Sequence, residues 1–193
     1  MLNIVIFGPP GAGKGTQSSR LVEKYHLEYI STGDALRIEI ATGSELGLEA
    51  KKLIDQGQLV PDQMVIDIVQ KVIIEKQSNP ASQGILFDGF PRTVMQATVL
   101  DQMLAKVNAS MTCMISLNVP EKELISRILM RAKTSSRSDD NEEIIASRLD
   151  EYAKKTAPVA AYYKSQNKYK EINGLGTIDE ITSRLIEVIK DCN

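Results

Sequence analysis

The chain has 193 residues, 42% of them hydrophobic and 25% charged, and its formal net charge is −2. This length and balance suit a single globular domain that closes its core without disulfides or structural metals. The small net charge excludes a general attraction to nucleic acid or to anionic membranes, so any anion site must come from the local placement of Arg and Lys. Cys113 and Cys192 form no CxxC pair and His26 is the only histidine, so we expect no Cys/His zinc site. We expect the two cysteines to be free thiols, with a disulfide as the alternative.

No stretch of the sequence reaches the roughly 20 apolar residues that cross a bilayer. The first apolar run ends at Gly8, which makes it too short for a signal sequence. We therefore expect a cytoplasmic, monomeric protein with neither nucleic acid nor a membrane among its partners.

The predicted elements alternate between strand and helix along the chain. The predicted strands are short apolar runs, and they cover residues 2–7, 29–34, 84–89, 111–119 and 169–173. The predicted helices have apolar positions at helical spacing, and they cover residues 16–26, 61–76, 92–107, 120–133, 140–163 and 178–189. Between residues 34 and 56 we predict short helical pieces broken at Gly43 and Gly47, and Asp62 is the predicted N-cap of the helix that follows.

Repeated strand–helix units predict an α/β fold of three layers, in which a central parallel sheet is flanked by helices. Residues 31–60 and 132–141 fit this alternation poorly. We interpret both segments as inserts over the sheet edge at which such folds bind ligands.

The sequence GPPGAGKGTQ, residues 8–17, directly follows the first predicted strand. As far as Lys14 it fits the phosphate-loop pattern, in which four residues separate two glycines and a lysine follows. Its glycines allow backbone N–H groups to point at one phosphate, and the next helix directs its N-terminus to the same place. We therefore predict a nucleotide site, with Lys14 supplying a full positive charge.

The residue after Lys14 departs from the pattern, because it is Gly15 and the first hydroxyl comes at Thr16. Gly15 lacks the hydroxyl that ligates Mg²⁺ directly in switch-type GTPases. We therefore expect nucleotide oxygens and water to hold the metal, with the carboxylate of Asp88, at the end of a buried strand, acting through water. Thr16 and Asp34 are weaker candidates for a place near the metal.

Five stretches resemble, in order and spacing, the motifs of the nucleoside monophosphate kinases and of the adenylate kinases in particular. They are GPPGAGKGTQ (8–17), STGDALR (31–37), GQLVPD (57–62), DGFPRTVMQ (88–96) and the arginine-bearing segment 126–149. The resemblance covers essentially the whole chain. It implies a single P-loop kinase domain over residues 1–193, with an NMP-binding insert at 31–60 and a short lid at 132–141.

The same resemblance implies reversible, Mg²⁺-dependent transfer of a phosphoryl group from ATP to AMP, giving two ADP. The residues implied to stabilise the transfer are Lys14, Arg92, Arg127, Arg131, Arg137 and Arg148. Those implied to bind ATP are Gly11, Ala12, Gly13, Lys14, Gly15, Thr16, Arg127, Arg131 and Gly176. Those implied to bind AMP are Thr32, Arg37, Gln58, Leu59, Val60, Gly89, Phe90, Pro91, Arg92, Gln96, Arg137 and Arg148.

The arginines suit phosphoryl transfer on physical grounds as well. Two reacting phosphates repel each other, and fixed cations remove that repulsion. Arg127 and Arg131 lie four residues apart on one predicted helix and share a face, Arg137 lies in the loop beyond and Arg148 on the next helix. The alternative is a solvated basic surface paired with neighbouring acids, namely Asp139, Asp140, Glu142 and Glu143. A phosphate acceptor is already ionised at neutral pH, so we expect no catalytic base.

The choice of acceptor base depends on two uncharged polar residues, Thr32 and Gln96, which in the resembled family accompany adenine. A UMP/CMP kinase of the same fold is the alternative within that family. A nucleotide-binding regulatory switch is the alternative from another class, and Gly15, the arginine set and the lack of an N-K-x-D guanine motif count against it. A catalytically silent relative would be expected to lack Lys14, Arg92 or a lid arginine.

The predicted lid is short, because only five residues separate Arg131 from Arg137. Many bacterial adenylate kinases have longer lids, some with four zinc-binding cysteines. This chain has no room for such a lid, so we expect Mg²⁺ with ATP and no zinc.

Overall fold

The computed structural model describes residues 1–76, 82–135 and 139–192, apart from the side chain of Glu143. Five strands form one sheet in the order β2-β3-β1-β4-β5, and every neighbouring pair is parallel. The strands are β1 Ile4–Phe7, β2 Glu28–Ser31, β3 Ile85–Asp88, β4 Cys113–Asn118 and β5 Tyr169–Asn173. The predicted α/β fold with a central parallel sheet flanked by helices is therefore confirmed.

The central strand β1 explains why the sheet needs helices on both faces. All four of its side chains are buried, as in a strand covered on both sides. Val5 and Phe7 belong to one hydrophobic cluster, whereas Ile4 and Ile6 belong to a second one. Because successive side chains of a strand point to opposite faces, the two clusters lie on the two sides of the sheet.

Nine α-helices are described. They are α1 Lys14–Tyr25, α2 Thr32–Thr42, α3 Glu45–Ile54, α4 Asp62–Lys76, α5 Val94–Lys106, α6 Glu121–Ala132, α7 Glu142–Glu151, α8 Pro158–Lys164 and α9 Ile178–Lys190. A π-helical segment, Tyr152–Thr156, joins α7 to α8, where one long helix was predicted. None of these helices is long and apolar enough to cross a membrane.

The insert at 31–60 differs from its predicted local structure. Ser31 ends β2 and caps α2, its hydroxyl accepting from the backbone N–H of Asp34, so α2 begins without an intervening turn. Gly47 was predicted to break a helix and lies inside α3 instead. A Cβ on Gly47 would lie 2.1 Å from the carbonyl oxygen of Glu39. The glycine therefore serves close packing of α3 on α2.

Two further predictions at helix starts were wrong. Asp62 is the first residue of α4 and not its N-cap. Its carboxylate accepts hydrogen bonds from Thr93 and Gln96, at the start of α5. Arg92 was predicted to start that helix, but Thr93 is its N-cap and α5 begins at Val94. Thr93 caps α5 locally, its hydroxyl accepting from the backbone N–H of Gln96 at 3.1 Å, and the same hydroxyl donates to Asp62, which links the two helix starts.

Candidate active site

The phosphate loop connects the end of β1 to the start of α1. Gly13 caps α1 in a left-handed conformation, with φ of 93°. Gly11, with φ of 83°, packs against α6, because a Cβ there would lie 2.7 Å from the carbonyl oxygen of Leu124 and 2.9 Å from Ile128. The loop therefore needs glycine both for its backbone conformation and for its contact with α6. Its position places the backbone N–H groups at the N-terminus of α1, which favours an anion there.

The Lys14 ammonium folds back over this loop. Its Nζ donates to the carbonyl oxygens of Gly8, at 2.7 Å, and Pro9, at 3.0 Å. Desolvation lowers its pKa to about 8, the carboxylate of Asp88 acts in the opposite direction, and the positive charge of Arg92 adds to the lowering. The lysine is thus held in a partly desolvated cluster of cations, where an added anion would be strongly favoured.

One continuous cavity of about 1090 Å³ extends from the phosphate loop to the insert at 31–60. The predicted site residues that line it are Gly11, Gly13, Lys14, Gly15, Thr16, Thr32, Arg37, Gln58, Leu59, Val60, Asp88, Gly89, Phe90, Pro91, Arg92, Gln96, Arg127, Arg131 and Arg148. Two predicted ATP contacts do not line it. Ala12 is buried in the hydrophobic cluster beneath the loop, and Gly176 lies in the turn before α9, where Ile178 reaches the cavity instead. The predicted role of Arg137 falls outside the described residues.

Asp88 ends β3 beside the phosphate loop. Its Oδ2 accepts a hydrogen bond from the Tyr29 hydroxyl at 3.0 Å. The same oxygen lies 3.7 Å from where a Cβ on Gly15 would be. A single carboxylate at a phosphate loop suits Mg²⁺ that is held mainly by nucleotide oxygens and water. Among the residues that the structure describes, no three His, Cys, Asp or Glu side chains cluster as metal ligands.

Two of the arginines share one buried carboxylate. Arg131 donates from Nε and Nη2 to Asp140, at 2.7 and 2.6 Å. Arg148 Nη1 donates to the same carboxylate at 2.9 Å and to the backbone oxygen of Asp139 at 3.0 Å. Burial raises the pKa of Asp140, but hydrogen bonds and charges from the two arginines outweigh it and hold that pKa below its ordinary value. The two arginines thus pair with neighbouring acids, as the alternative expected, but their shared partner Asp140 is buried rather than solvated, and both arginines line the cavity.

The remaining cavity arginines are held differently. Arg127 donates to Glu123 at 2.7 Å and to the carbonyl oxygen of Gly174 at 3.2 Å. Arg92 donates from Nε to the carbonyl oxygen of Gly89 at 2.8 Å. Desolvation lowers the pKa of Arg92, and the positive charge of Arg148 acts in the same direction. The cavity thus concentrates positive charge between the phosphate loop and the insert.

The insert lines its end of the cavity with polar groups that are held by internal hydrogen bonds and an ion pair. The Thr32 hydroxyl is buried and donates to the carbonyl oxygen of Gly89 at 2.8 Å. Arg37, one turn along α2, pairs with Asp34. The backbone N–H of Leu59 donates to Glu151 at 3.2 Å, and a Cβ on Gly57 would touch Arg148 at 3.0 Å. These contacts join the far end of the insert to α7.

A family profile described as "Adenylate kinase" matches residues 6–168. The chain is 53% identical to an adenylate kinase of Bacteroides thetaiotaomicron over 189 residues, which cover 98% of each chain. It is 50% identical to an adenylate kinase of Flavobacterium psychrophilum over 192 residues, covering 99% of this chain and 100% of that one. The chain belongs to the adenylate kinase family.

Membership of the adenylate kinase family confirms the predicted fold and the predicted enzyme class, a nucleoside monophosphate kinase. It supports phosphoryl transfer between ATP and AMP, and it does not favour the UMP/CMP kinase or the regulatory switch. Members of the family bind ATP and AMP or ADP, and they generally use Mg²⁺ with ATP.

Three residues hold parts of this site in place through contacts that were not predicted. Tyr29 holds Asp88, Glu151 holds the backbone of Leu59, and Asp62 holds Gln96. None of them has a spacing that predicts chemistry, because each acts through a contact with a distant segment. Tyr29 is a partial exception, because it lies on β2, the strand that pairs with the strand that ends at Asp88.

Proposed function

We propose that this cavity binds MgATP and AMP together and that the chain transfers the terminal phosphoryl group of ATP to AMP, reversibly, giving two ADP. The observation that carries the proposal is the single cavity of about 1090 Å³ that joins the phosphate loop to the insert, with cations between them. Pockets for one drug-sized ligand span roughly 300 to 1,000 Å³. The cavity exceeds the upper end of that range and extends from the phosphate loop to the insert, which supports two nucleotides that meet at their phosphates.

The donor end is the phosphate loop. Its backbone N–H groups and the N-terminus of α1 would hold the ATP phosphates, and Lys14 would follow the transferred group. Arg127 and Arg131, which line the cavity, would contact the same phosphates. The proposed ATP contacts that line the cavity are Gly11, Gly13, Lys14, Gly15, Thr16, Arg127 and Arg131. Ala12 and Gly176 stay in the proposed set on the family resemblance alone, since neither lines the cavity.

The acceptor end is the insert together with the segment after β3. Arg37 and Arg92 would bind the AMP phosphate, together with Arg137 and Arg148. The other proposed AMP contacts are Thr32, Gln58, Leu59, Val60, Gly89, Phe90, Pro91 and Gln96.

Hydrogen bonding at Thr32 supports an amino-bearing base as acceptor. The one hydroxyl proton of Thr32 is donated to Gly89, so its oxygen can only accept a further hydrogen bond. The exocyclic amino group of adenine donates, as does that of cytosine, whereas uracil presents a carbonyl oxygen in its place. Thr32 therefore favours AMP over UMP, and it leaves discrimination against CMP to the size of the pocket.

The chemistry needs positioning and charge more than proton transfer. The AMP phosphate is ionised at neutral pH and attacks without a general base. Lys14, Arg92, Arg127, Arg131, Arg137 and Arg148 would offset the charge that two polyphosphates bring together. Closure of the insert at 31–60 and of the lid at 132–141 would exclude water, which protects ATP from hydrolysis.

Mg²⁺ would arrive with ATP as part of the substrate. Asp88 would accept hydrogen bonds from water on the ion, since its carboxylate adjoins the phosphate loop, and Thr16 is the weaker second candidate. No zinc site is proposed. We keep the expectation of a cytoplasmic monomer that acts on small molecules, without a nucleic acid or membrane partner.

A comparison of acceptors tests the proposal. Purified protein is given MgATP with AMP, CMP or UMP, and the diphosphate products are separated by chromatography. We expect rapid ADP formation with AMP and much slower turnover with CMP and UMP. Preferred turnover of CMP or UMP would move the assignment to the pyrimidine kinases. ATP hydrolysis without transfer to any acceptor would favour the regulatory switch.

A further inference from the structure

The side-chain amide of Gln96 is held from both ends. Its Oε1 accepts from the backbone N–H of Arg92 at 2.7 Å, and its Nε2 donates to Oδ1 of Asp62 at 2.7 Å. The other oxygen of Asp62 accepts from the Thr93 hydroxyl at 3.0 Å. Gln96 is only 1% exposed, yet it lines the cavity.

These two partners determine which end of the amide is oxygen. Reversing the amide would place its NH₂ group against the Arg92 N–H and its oxygen against the Asp62 carboxylate. Both contacts would then be repulsive, and buried polar groups would lose their hydrogen bonds. Asp62 accepts only, so it tolerates the NH₂ end and excludes the oxygen end.

The amide retains one N–H and one oxygen lone pair beyond the bonds that the described residues make with it. This donor and acceptor pair matches adenine, whose edge carries an accepting ring nitrogen beside a donating amino group. Hypoxanthine has nearly the same shape with the opposite pattern, a donating ring N–H beside an accepting oxygen. A fixed amide can therefore separate the two bases, whereas an amide free to reverse could serve both.

We propose that Asp62 is a positioning residue for the acceptor site, which locks the Gln96 amide in the orientation that reads adenine. The inference rests on the proposed function, because it concerns the base of the acceptor nucleotide. Asp62 begins α4, directly after the insert, and Gln96 lies in the first turn of α5. Discrimination between bases is thus set by a contact between two helices that both border the cavity.

The test compares AMP with inosine monophosphate (IMP) as acceptor, at fixed MgATP, in the wild type and in Asp62→Ala. We expect the ratio of kcat/KM for AMP to that for IMP to fall by about tenfold in the variant, since one of the two restraints on the amide is gone. The KM for ATP stays within about twofold of the wild type. Asp62→Asn can accept from Gln96 through its oxygen or donate to it through its NH₂ group, so it no longer excludes the reversed amide and should restore the ratio only in part.

The matched control is Asp67→Ala. Asp67 lies on the same helix and accepts from Gln63 at 2.7 Å, but at the surface. Its removal should leave the ratio unchanged. Equal losses with AMP and IMP in Asp62→Ala, or no loss at all, would overturn the proposal, because a purely structural Asp62 affects both acceptors alike. Thermal unfolding, with ATP binding as a second measure, confirms that the variant is folded. Failure of the wild type to use AMP would instead overturn the proposed function.

Discussion

Arg131 and Asp140 form a two-pronged ion pair at 2.7 and 2.6 Å, and the side chain of Asp140 is fully buried. Arg148 adds a third bond to the same carboxylate at 2.9 Å. Three hydrogen bonds to one buried carboxylate hold the side chains of both arginines in place at the cavity wall. The carboxylate therefore orders the cations that the proposed transfer uses.

Asp140→Asn should lower the free energy of unfolding by about 2 to 3 kcal/mol at neutral pH. This expected loss is smaller than the loss on removing one partner of a fully buried ion pair, because the Arg131 side chain is 35% exposed. The folded-state pKa of Asp140 lies below its ordinary value of 3.8. The stabilisation is therefore complete above pH of about 4 and is lost as the pH falls through the folded-state pKa. Denaturant unfolding of the wild type and of Asp140→Asn between pH 3 and 7 measures this pH dependence.

Asp150→Asn is the control for that measurement, since Asp150 makes an exposed ion pair with Lys154. Pairs of this kind contribute about 0 to 1 kcal/mol. If the two substitutions cost the same, or if the difference from wild type widens in acid, the role given to Asp140 is wrong.

Lys14 should set an alkaline limit to catalysis. In the free enzyme its pKa is about 8, so the charged form that binds phosphate is lost above that pH. We expect kcat/KM for ATP to fall with a midpoint near pH 8, and kcat to fall at higher pH because bound phosphates stabilise the ammonium. Lys14→Met should lose about 100-fold or more in kcat.

Lys14→Arg provides the check, because a guanidinium stays charged throughout this range. Its pH profile should be flat on the alkaline side, at a lower overall rate. An unchanged alkaline limb in this variant would assign the titration to another group.

Replacing Asp88 should change the metal requirement. Asp88→Asn removes the negative charge beside the phosphate loop, and groups of this kind usually change metal affinity or activity by about 10- to 100-fold. We expect half-maximal activity at a correspondingly higher Mg²⁺ concentration, measured at constant total ATP. Asp179→Asn, at an exposed pair with Arg20, should leave the Mg²⁺ curve in place. Superimposable curves for Asp88→Asn and wild type would contradict the assignment.

Gly47 and Gly43 allow a matched test of the insert. Gly47→Ala would press a Cβ into the backbone of Glu39, at 2.1 Å, and should cost about 3 kcal/mol of stability together with a higher KM for AMP. Gly43→Ala meets nothing within 4 Å and should cost about 1 kcal/mol, because of its φ of 69°. Thermal unfolding and AMP titrations of both variants decide the question. Equal effects would show that α2 and α3 are not closely packed at Gly47.

The elements predicted best from sequence are those with a strong local signal. The buried apolar run of β1, the glycines of the phosphate loop and the alternation of strand and helix are each evident in a short window. Gly47 was misjudged because a glycine that permits close helix packing looks the same in sequence as one that ends a helix. Asp62 likewise suited a local cap, but it forms its bonds with the start of another helix.

The predictions for the candidate site also succeeded where the local sequence signal is strong and failed where it is absent. Charged residues in recognisable motifs, such as Lys14 and Arg92, were predicted and lie together on the cavity. Residues that hold other parts of the site were missed, since Tyr29 bonds to Asp88 and Glu151 to the backbone of Leu59, across 59 and 92 positions of sequence. Partners at such separations are selected by the fold, and no local pattern records them.

The most direct test of the central claim uses purified protein with MgADP as the only nucleotide. In the proposed reaction one molecule of ADP occupies each end of the cavity, and transfer between them needs both sites, the cations and the metal at once. The account predicts that ATP and AMP appear in equal amounts. ADP that remains unchanged, or that yields AMP with free phosphate and no ATP, would contradict it.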